Sequence, residues 1–181
     1  LGQHQLAVFK TFATRNAEIV MDLCHTDDGW ERLEGLGPVK LWRRNLGHGC
    51  EGQLCLRGRV IIPNRTVASI CDALWAIDLR AKWDSLFGAG SKVVGPFDTP
   101  DVRVTHALCN FDLPFVQGRD LCLLEHIAQY PHAGQGTTYA ALSFGTVTTP
   151  AIGLPDDDRV RAFAYPSGIV VRNQGVSPPH L

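Results

Sequence analysis

The chain has 181 residues, of which 45% are apolar and 19% charged, and its formal net charge is -1. This composition is typical of a globular protein with a sizeable core and excludes a disordered chain. The near-neutral charge offers no bulk attraction to nucleic acid, and no apolar run is long enough to cross a bilayer. We therefore expect residues 1–181 to form a single domain.

The first part of the chain predicts a helix, two strands and a second helix. Apolar residues recur at helical spacing over 5–24, and Asp27-Asp28-Gly29 ends that helix before an irregular segment that opens at Trp30. Residues 39–44 and 53–62 have the composition of strands. Thr66 is the expected N-cap of a long amphipathic helix that closes on Arg80-Ala81-Lys82-Trp83-Asp84.

The second part of the chain predicts strands joined by short turns. They pair as three hairpins around the turn-forming residues 98–101, 131–134 and 166–167. Such an order favours a single antiparallel, meander-like sheet and an α+β fold. The predicted strands are 91–97, 102–110, 118–130, 136–147, 159–165 and 168–172.

The cysteines predict an intracellular protein with reduced thiols. They lie at positions 24, 50, 55, 71, 109 and 122, an irregular spacing for a disulfide framework in a chain of this size. His48, Cys50 and Cys55 resemble part of a metal site but offer only three ligands, and Cys55 falls in a predicted strand. We expect no metal and no cofactor, and a cytoplasmic location with peripheral membrane contact.

Several short motifs together resemble the START domain, the lipid-transfer domain related to the steroidogenic acute regulatory protein. Each motif is weak alone, but their order and spacing run through most of the chain. They are Val39-Lys40-Leu41-Trp42-Arg43-Arg44, Leu56-Arg57-Gly58, Arg80-x-x-Trp83-Asp84, Thr105-His106, Gly118-Arg119-Asp120, Val160-Arg161-Ala162 and Gly168.

The resemblance implies a helix-grip fold. In that fold a curved antiparallel sheet, with N-terminal and central helices, wraps a long C-terminal helix and encloses one lipid in a hydrophobic tunnel. A last strand and that lid helix should follow Arg172. This chain offers only residues 173–181, where Pro178 and Pro179 are incompatible with a helix. We therefore expect a fragment without the last strand and the lid helix, with the lid missing, replaced or supplied by a partner protein.

Arg80 and Asp84 are the first candidate ligand-binding residues. They lie four residues apart, so on a helix they share a face and can pair. In the phosphatidylcholine-transfer relatives, the matching residues lie at the head-group end of the tunnel. The competing interpretation is a structural clamp between helix and sheet.

Ala107, Leu123, Glu125 and Arg103 form a second candidate set. The sterol-carrying relatives place an acidic and a basic residue at positions 107 and 125, so this chain favours a phospholipid or another polar-headed lipid over a sterol. Strand alternation puts Leu123 and Glu125 on one face. Either Glu125 is a buried acid that needs a partner, which Arg103 can supply, or it is solvated.

The apolar loop 111–116 is the third candidate. In the resembling ceramide-transfer proteins, this loop carries an aromatic tip that enters membranes and gates the tunnel. Phe111, Leu113 and Phe115 would form the gate here. The alternative is that these side chains fold back over the core.

Three functions remain open from the sequence. The leading one is non-enzymatic binding of a single lipid, with exchange at membranes. The second is a scaffold module in a larger assembly, with the tunnel filled by side chains or by a partner's segment. The third is an enzyme of the wider helix-grip superfamily, although no nucleophile elbow or Ser-His-Asp order is present.

Overall fold

The computed structural model describes residues 3–45, 53–85, 87–88, 90–94, 100–111, 114–131, 138–150, 152–155 and 158–173. Within these residues, three helices alternate with groups of strands. In chain order the elements are α1 Gln3–His25, β1 Glu31–Leu36, β2 Val39–Asn45, β3 Leu54–Arg59, α2 Val67–Trp75, α3 Ile77–Arg80, β4 Lys92–Val93, β5 Val102–Cys109, β6 Gly118–Pro131, β7 Thr138–Thr146, β8 Arg159–Arg161 and β9 Ser167–Arg172.

The strands form two hydrogen-bonded sheets, which confirms the predicted α+β, helix-grip architecture. One has three strands in the order β1-β2-β3, and the other has the order β4-β5-β6-β7-β9, with β8 also paired to β6. The predicted third hairpin is wrong. β8 pairs in parallel with β6, from Gly118↔Arg159 to Asp120↔Arg161, whereas β9 pairs antiparallel with β7. These long-range partners override the local turn at Pro166 and Ser167 that suggested a hairpin.

The prediction of an irregular segment after Trp30 is also wrong, because β1 occupies it. Glu31 lies opposite Arg43 of β2 in the antiparallel register. The Arg43 guanidinium donates to both carboxylate oxygens of Glu31, at 2.8 and 3.1 Å. Glutamate and glycine are poor strand formers, so this segment depends on its partner strand and carries a weak local signal.

The second helix begins where the sequence predicts and ends earlier. Thr66 caps α2 by accepting a hydrogen bond from the Ser69 amide at 3.1 Å, and the Ser69 hydroxyl accepts one from the Thr66 amide. Ala76 is extended, with φ -72° and ψ 106°, so the helix is interrupted there and a separate four-residue helix, α3, follows. Arg80 therefore ends a short separate helix, and the prediction of one continuous helix to Asp84 is wrong.

The described residues divide into two compact units, one of which runs from Asp22 to Arg65. Arg57 holds this smaller unit together. Its guanidinium lies 4.5 Å from the Trp30 ring centroid and 5.0 Å from that of Trp42. It also donates to the carbonyls of Leu23 and Thr26 near the end of α1. A cation stacked between two aromatic rings and bonded to helix-end carbonyls stabilises this sheet locally.

In the larger unit, α1 covers one face of the six-stranded sheet. Two glycines allow the helix to approach closely. A Cβ on Gly145 would lie 2.7 Å from the Asn16 amide nitrogen, and one on Gly168 would lie 3.0 Å from a Val20 methyl. The core on this face is apolar and comprises Phe9, Ala13, Val102, Val104, Cys122, Leu124 and Ile152.

None of the helices in the described part of the chain has the length and hydropathy of a membrane span. Within those residues, Cys55, Cys71, Cys109 and Cys122 are free thiols. Burial raises the pKa of the thiols of Cys55, Cys71, Cys109 and Cys122, which therefore favour the protonated form.

His126, buried beneath α1, makes stability depend on pH. Burial lowers its pKa, and the Asp101 carboxylate and the Ala13 backbone offset this only in part. The unfolded state therefore binds the proton more readily, and stability falls as pH drops below about 6.5. We expect His126→Gln to reduce the loss of melting temperature between pH 7.5 and pH 5.5, as measured by circular dichroism.

The exposed His25 supplies the matched control, as His25→Gln. Equal flattening of the pH profile in both variants would show that burial of His126 is not the cause.

Candidate functional site

The face of the six-stranded sheet opposite α1 carries most of the predicted ligand-binding residues. On β5 and β6 alternate side chains point to this face, and the antiparallel register aligns them in pairs. The directly opposed pairs are Arg103 with Glu125, Thr105 with Leu123, and Ala107 with Leu121.

Glu125 is the centre of a buried polar cluster on this face. It is only 1% exposed. Its Oε2 accepts hydrogen bonds from Arg103 Nε at 2.6 Å and from the Thr105 hydroxyl at 2.7 Å, while Oε1 accepts one from Arg80 Nη1 at 2.8 Å. Removing a carboxylate from water is costly unless it is paired in this way. The interpretation of Glu125 as a solvated residue is therefore wrong.

Arg80 joins Glu125 to Asp84. Its Nε donates to Asp84 Oδ2 at 3.3 Å, and the Asp84 amide bonds to the Arg80 carbonyl at 2.9 Å, which keeps helical spacing beyond the end of α3. The guanidinium also lies 4.6 Å from the Phe87 ring centroid. The pairing that the sequence predicts is thus present, and it extends to a third group from β6.

Arg103 connects the sheet to the end of α2. Its Nη1 donates to the carbonyl of Trp75, and its guanidinium lies 3.9 Å from the Trp75 ring centroid. The carbonyls in the last turn of a helix lack intrahelical partners, so a cation here caps α2. It also interacts favourably with the negative end of the helix dipole. Arg103 Nη2 is buried and has no hydrogen-bond partner among the described residues.

Sequence reasoning missed two members of this cluster. Thr105 shares the Arg103 and Ala107 face by simple alternation, so the strand pattern contained the signal. The Trp75 carbonyl could not be found in that way, because it becomes available only when the helix breaks at Ala76.

An apolar group adjoins the polar cluster through Phe87, which lies beneath Arg80. Ala107 and Leu123 are almost fully buried and pack with Phe87. The partly buried residues against them are Ile77, Leu121, Phe144 and Ala164. Ala107 and Leu123 therefore lie in an apolar surface that continues from the charged groups.

The loop after β5 divides into a folded and an exposed part. Phe111 is partly buried, and the Arg119 guanidinium lies 5.8 Å from its ring centroid. Phe115 is fully exposed and has a φ of +66°, a conformation that is rare for a bulky residue. Leu113 lies outside the described residues. The fold-back alternative is therefore wrong for Phe115, whereas Phe111 is partly covered by Arg119.

A second buried carboxylate, Asp120, has a structural role. Its oxygens lie 2.8 Å from His106 Nε2 and 2.6 Å from Arg161 Nε. Its carbonyl accepts the Ala162 amide at 2.8 Å. Asp120 thus connects β5 and β8 to β6 through these two ion pairs and this backbone hydrogen bond.

Of the three metal-ligand candidates, His48 and Cys50 lie outside the described residues. Cys55 is partly buried. Within the described ranges, no group of three histidine, cysteine or acidic side chains is arranged to hold a metal ion.

Comparison with known proteins identifies the fold. No protein-family model matches the chain, and no curated protein sequence does so significantly. Among solved structures, the chain is similar to human StAR-related lipid transfer protein 5, with a TM-score of 0.75 and 20% identity over 91% of this chain and 74% of that one.

Two further solved structures show the same similarity. Human STARD10 has a TM-score of 0.64 and 18% identity over 81% of this chain and 56% of that one. The human StarD13 (DLC2) lipid transfer and protein localization domain has a TM-score of 0.61 and 17% identity over 81% and 71%. The chain has a START-like fold.

Replacing Glu125 with Gln should strongly destabilise the larger unit. It removes the carboxylate that balances two buried guanidinium groups, and breaking a buried pair in this way costs about 3–5 kcal/mol. Urea unfolding followed by circular dichroism measures the loss. Glu31→Gln is the control, because the Glu31–Arg43 pair is exposed and should change the midpoint little. A Glu125→Gln variant as stable as the wild type would contradict this account of the cluster.

Proposed function

We propose that this domain binds a single lipid in an internal hydrophobic tunnel and exchanges it at membranes, without chemical turnover. The observation that best supports the proposal is the buried cluster of Arg80, Arg103 and Glu125, which adjoins an apolar surface in a START-like fold. A lipid site needs this combination, because the tail requires apolar walls and the head requires a few buried polar groups.

In this proposal, each candidate residue has a defined role. Arg80, Asp84, Arg103 and Glu125 orient the head of the lipid, and Ala107 and Leu123 line the wall beside it. The cargo is a phospholipid or another polar-headed lipid rather than a sterol, since Ala107 departs from the charged residue of the resembling sterol carriers.

The loop containing Phe111, Leu113 and Phe115 is the proposed gate and membrane contact. Full exposure of Phe115 supports this role, because an exposed aromatic side chain at a strained turn gains free energy by entering an apolar phase. We place the protein inside the cell, in the cytoplasm, which is consistent with the free thiols of Cys55, Cys71, Cys109 and Cys122.

The proposal that the domain is not an enzyme is supported by the hydrogen bonds and ion pairs that the buried carboxylates of Glu125 and Asp120 already make. Glu125 already accepts from two arginines and a threonine, and Asp120 is held by His106 and Arg161. A general base needs a free lone pair within reach of its substrate. Turnover of a substrate by the wild-type chain that is lost in a Glu125→Gln variant shown to be folded would favour an enzyme instead.

A scaffold module is the second candidate. Ala107 and Leu123 are almost fully buried against Phe87 by side chains of this chain itself. In this alternative the domain is a structural module of a larger assembly, and its tunnel is filled by its own side chains or by a partner's segment.

Lipid carriage is tested on the purified wild-type chain. We expect native mass spectrometry of gently extracted protein to show one co-purifying lipid per chain, and fluorescence assays to show transfer between liposomes. A chain that carries no lipid and transfers none, yet co-purifies with a protein partner over this face, would favour the scaffold.

Replacing Phe115 with Ser should weaken binding to liposomes at least tenfold without lowering the melting temperature. Burying a phenylalanine side chain contributes about 1.5–3 kcal/mol, and roughly 1.4 kcal/mol corresponds to a factor of ten. Co-sedimentation with phosphatidylcholine vesicles measures the effect. Leu154→Ser is the matched control, because Leu154 is almost fully exposed on a different loop. Equal losses in both variants would exclude a specific role of the Phe115 loop.

A further inference from the structure

One terminal nitrogen of the Arg103 guanidinium, Nη2, is left without a hydrogen-bond partner among the described residues. The group is planar and carries five N–H donors in a fixed fork. Nε donates to Glu125 and Nη1 to the Trp75 carbonyl, whereas Nη2 is buried without a hydrogen-bond partner in the described part of the chain. A buried donor left unpaired is unfavourable, so an acceptor brought by a ligand would stabilise this position.

The surroundings of Arg103 hold this donor in place. The Trp75 ring packs against the guanidinium, and the two hydrogen bonds to Glu125 and Trp75 fix its orientation in the plane. Arg103 is 9% exposed. Nη2 is therefore a preorganised donor. A ligand atom that accepts its hydrogen bond does not have to immobilise the Arg103 side chain, which favours binding.

The charges of the cluster already balance. Arg80 and Arg103 supply two positive charges, and Asp84 and Glu125 supply two negative ones through three ion pairs. A phosphate monoester or a carboxylate added here would bury surplus negative charge next to Glu125. An uncharged oxygen would satisfy Nη2 and leave the balance unchanged.

We propose that Arg103 Nη2 receives an uncharged oxygen of the lipid, either a hydroxyl or an ester or amide carbonyl. This inference rests on the proposed lipid-binding function and names the chemistry that the site selects. It assigns the selecting contact to Arg103, while Arg80 pairs with Glu125 and Asp84 pairs with Arg80.

The test is a competition on the wild-type chain. The protein is incubated with vesicles that contain equal amounts of phosphatidylcholine, diacylglycerol and phosphatidic acid with identical acyl chains, and native mass spectrometry identifies the bound lipid. We expect phosphatidylcholine and diacylglycerol, taken together, to exceed phosphatidic acid at least tenfold. Equal or greater loading of phosphatidic acid would overturn the inference. Loading of none of the three would instead count against lipid binding itself.

Ether analogues separate the two sources of the oxygen. Diether phosphatidylcholine and diether diacylglycerol lack the ester carbonyls, and only the second retains a hydroxyl. Loss of loading at least tenfold for both analogues assigns the contact to a carbonyl, and retention of the diether diacylglycerol alone assigns it to the hydroxyl. Undiminished loading of diether phosphatidylcholine would overturn the inference, because that lipid offers neither group.

Arg103→Lys tests the residue itself. Lysine keeps the positive charge beside Glu125 but lacks the fork that reaches Glu125, Trp75 and the ligand together. We expect at least tenfold lower loading of the neutral lipids, with Arg43→Lys, an exposed arginine of the smaller unit, as the control. Unchanged loading in a folded Arg103→Lys variant would overturn the assignment. If that variant does not fold, the lipid competition on the wild type still decides the question.

Discussion

Burial of the Glu125 carboxylate between two guanidinium groups is the constraint on which the larger unit depends. A buried carboxylate must be paired, and its partners here come from α3 and from β5. Arg80 can reach Glu125 only if α3 lies over the sheet, and Arg103 can reach it only in the observed β5–β6 register. A one-residue slip of that register would move Glu125 to the face covered by α1. The cluster therefore specifies one arrangement, whatever its net contribution to stability.

The same constraint explains why the second helix is broken. In a continuous helix, the Trp75 carbonyl would accept the amide of Leu79. In the structure the Leu79 amide instead bonds to the Ala76 carbonyl at 3.1 Å, which leaves the Trp75 carbonyl for Arg103. The break exchanges one backbone hydrogen bond for a charge-assisted one, and it places Arg80 where it can pair with both Asp84 and Glu125.

The features that the sequence predicts well are those whose cause is local. The apolar spacing of α1 and the cap at Thr66 both depend on residues a few positions apart, and the structure confirms both. β1, the break at Ala76 and the parallel pairing of β8 depend on distant partners, so no local pattern marked them. Within the site, alternation placed Arg103 and Glu125 on one face, and the four-residue spacing paired Arg80 with Asp84. That Arg80 also bonds to Glu125, which joins the two pairs, follows only from the three-dimensional fold.

The position of the charged cluster bears on the lipid that we propose as cargo. In the resembling sterol carriers, charged residues occupy positions 107 and 125, on neighbouring strands. Here Ala107 is apolar and buried, and Arg103, directly opposite Glu125, provides the positive charge. Arg103 precedes Ala107 by four residues, which is roughly 13 Å along a strand. The side chain at position 107 itself packs with Phe87 and Leu123 and supplies no charge to a ligand. The polar contacts lie instead against α2 and α3, and the lipid that we propose as cargo would carry its polar group to that end of the sheet.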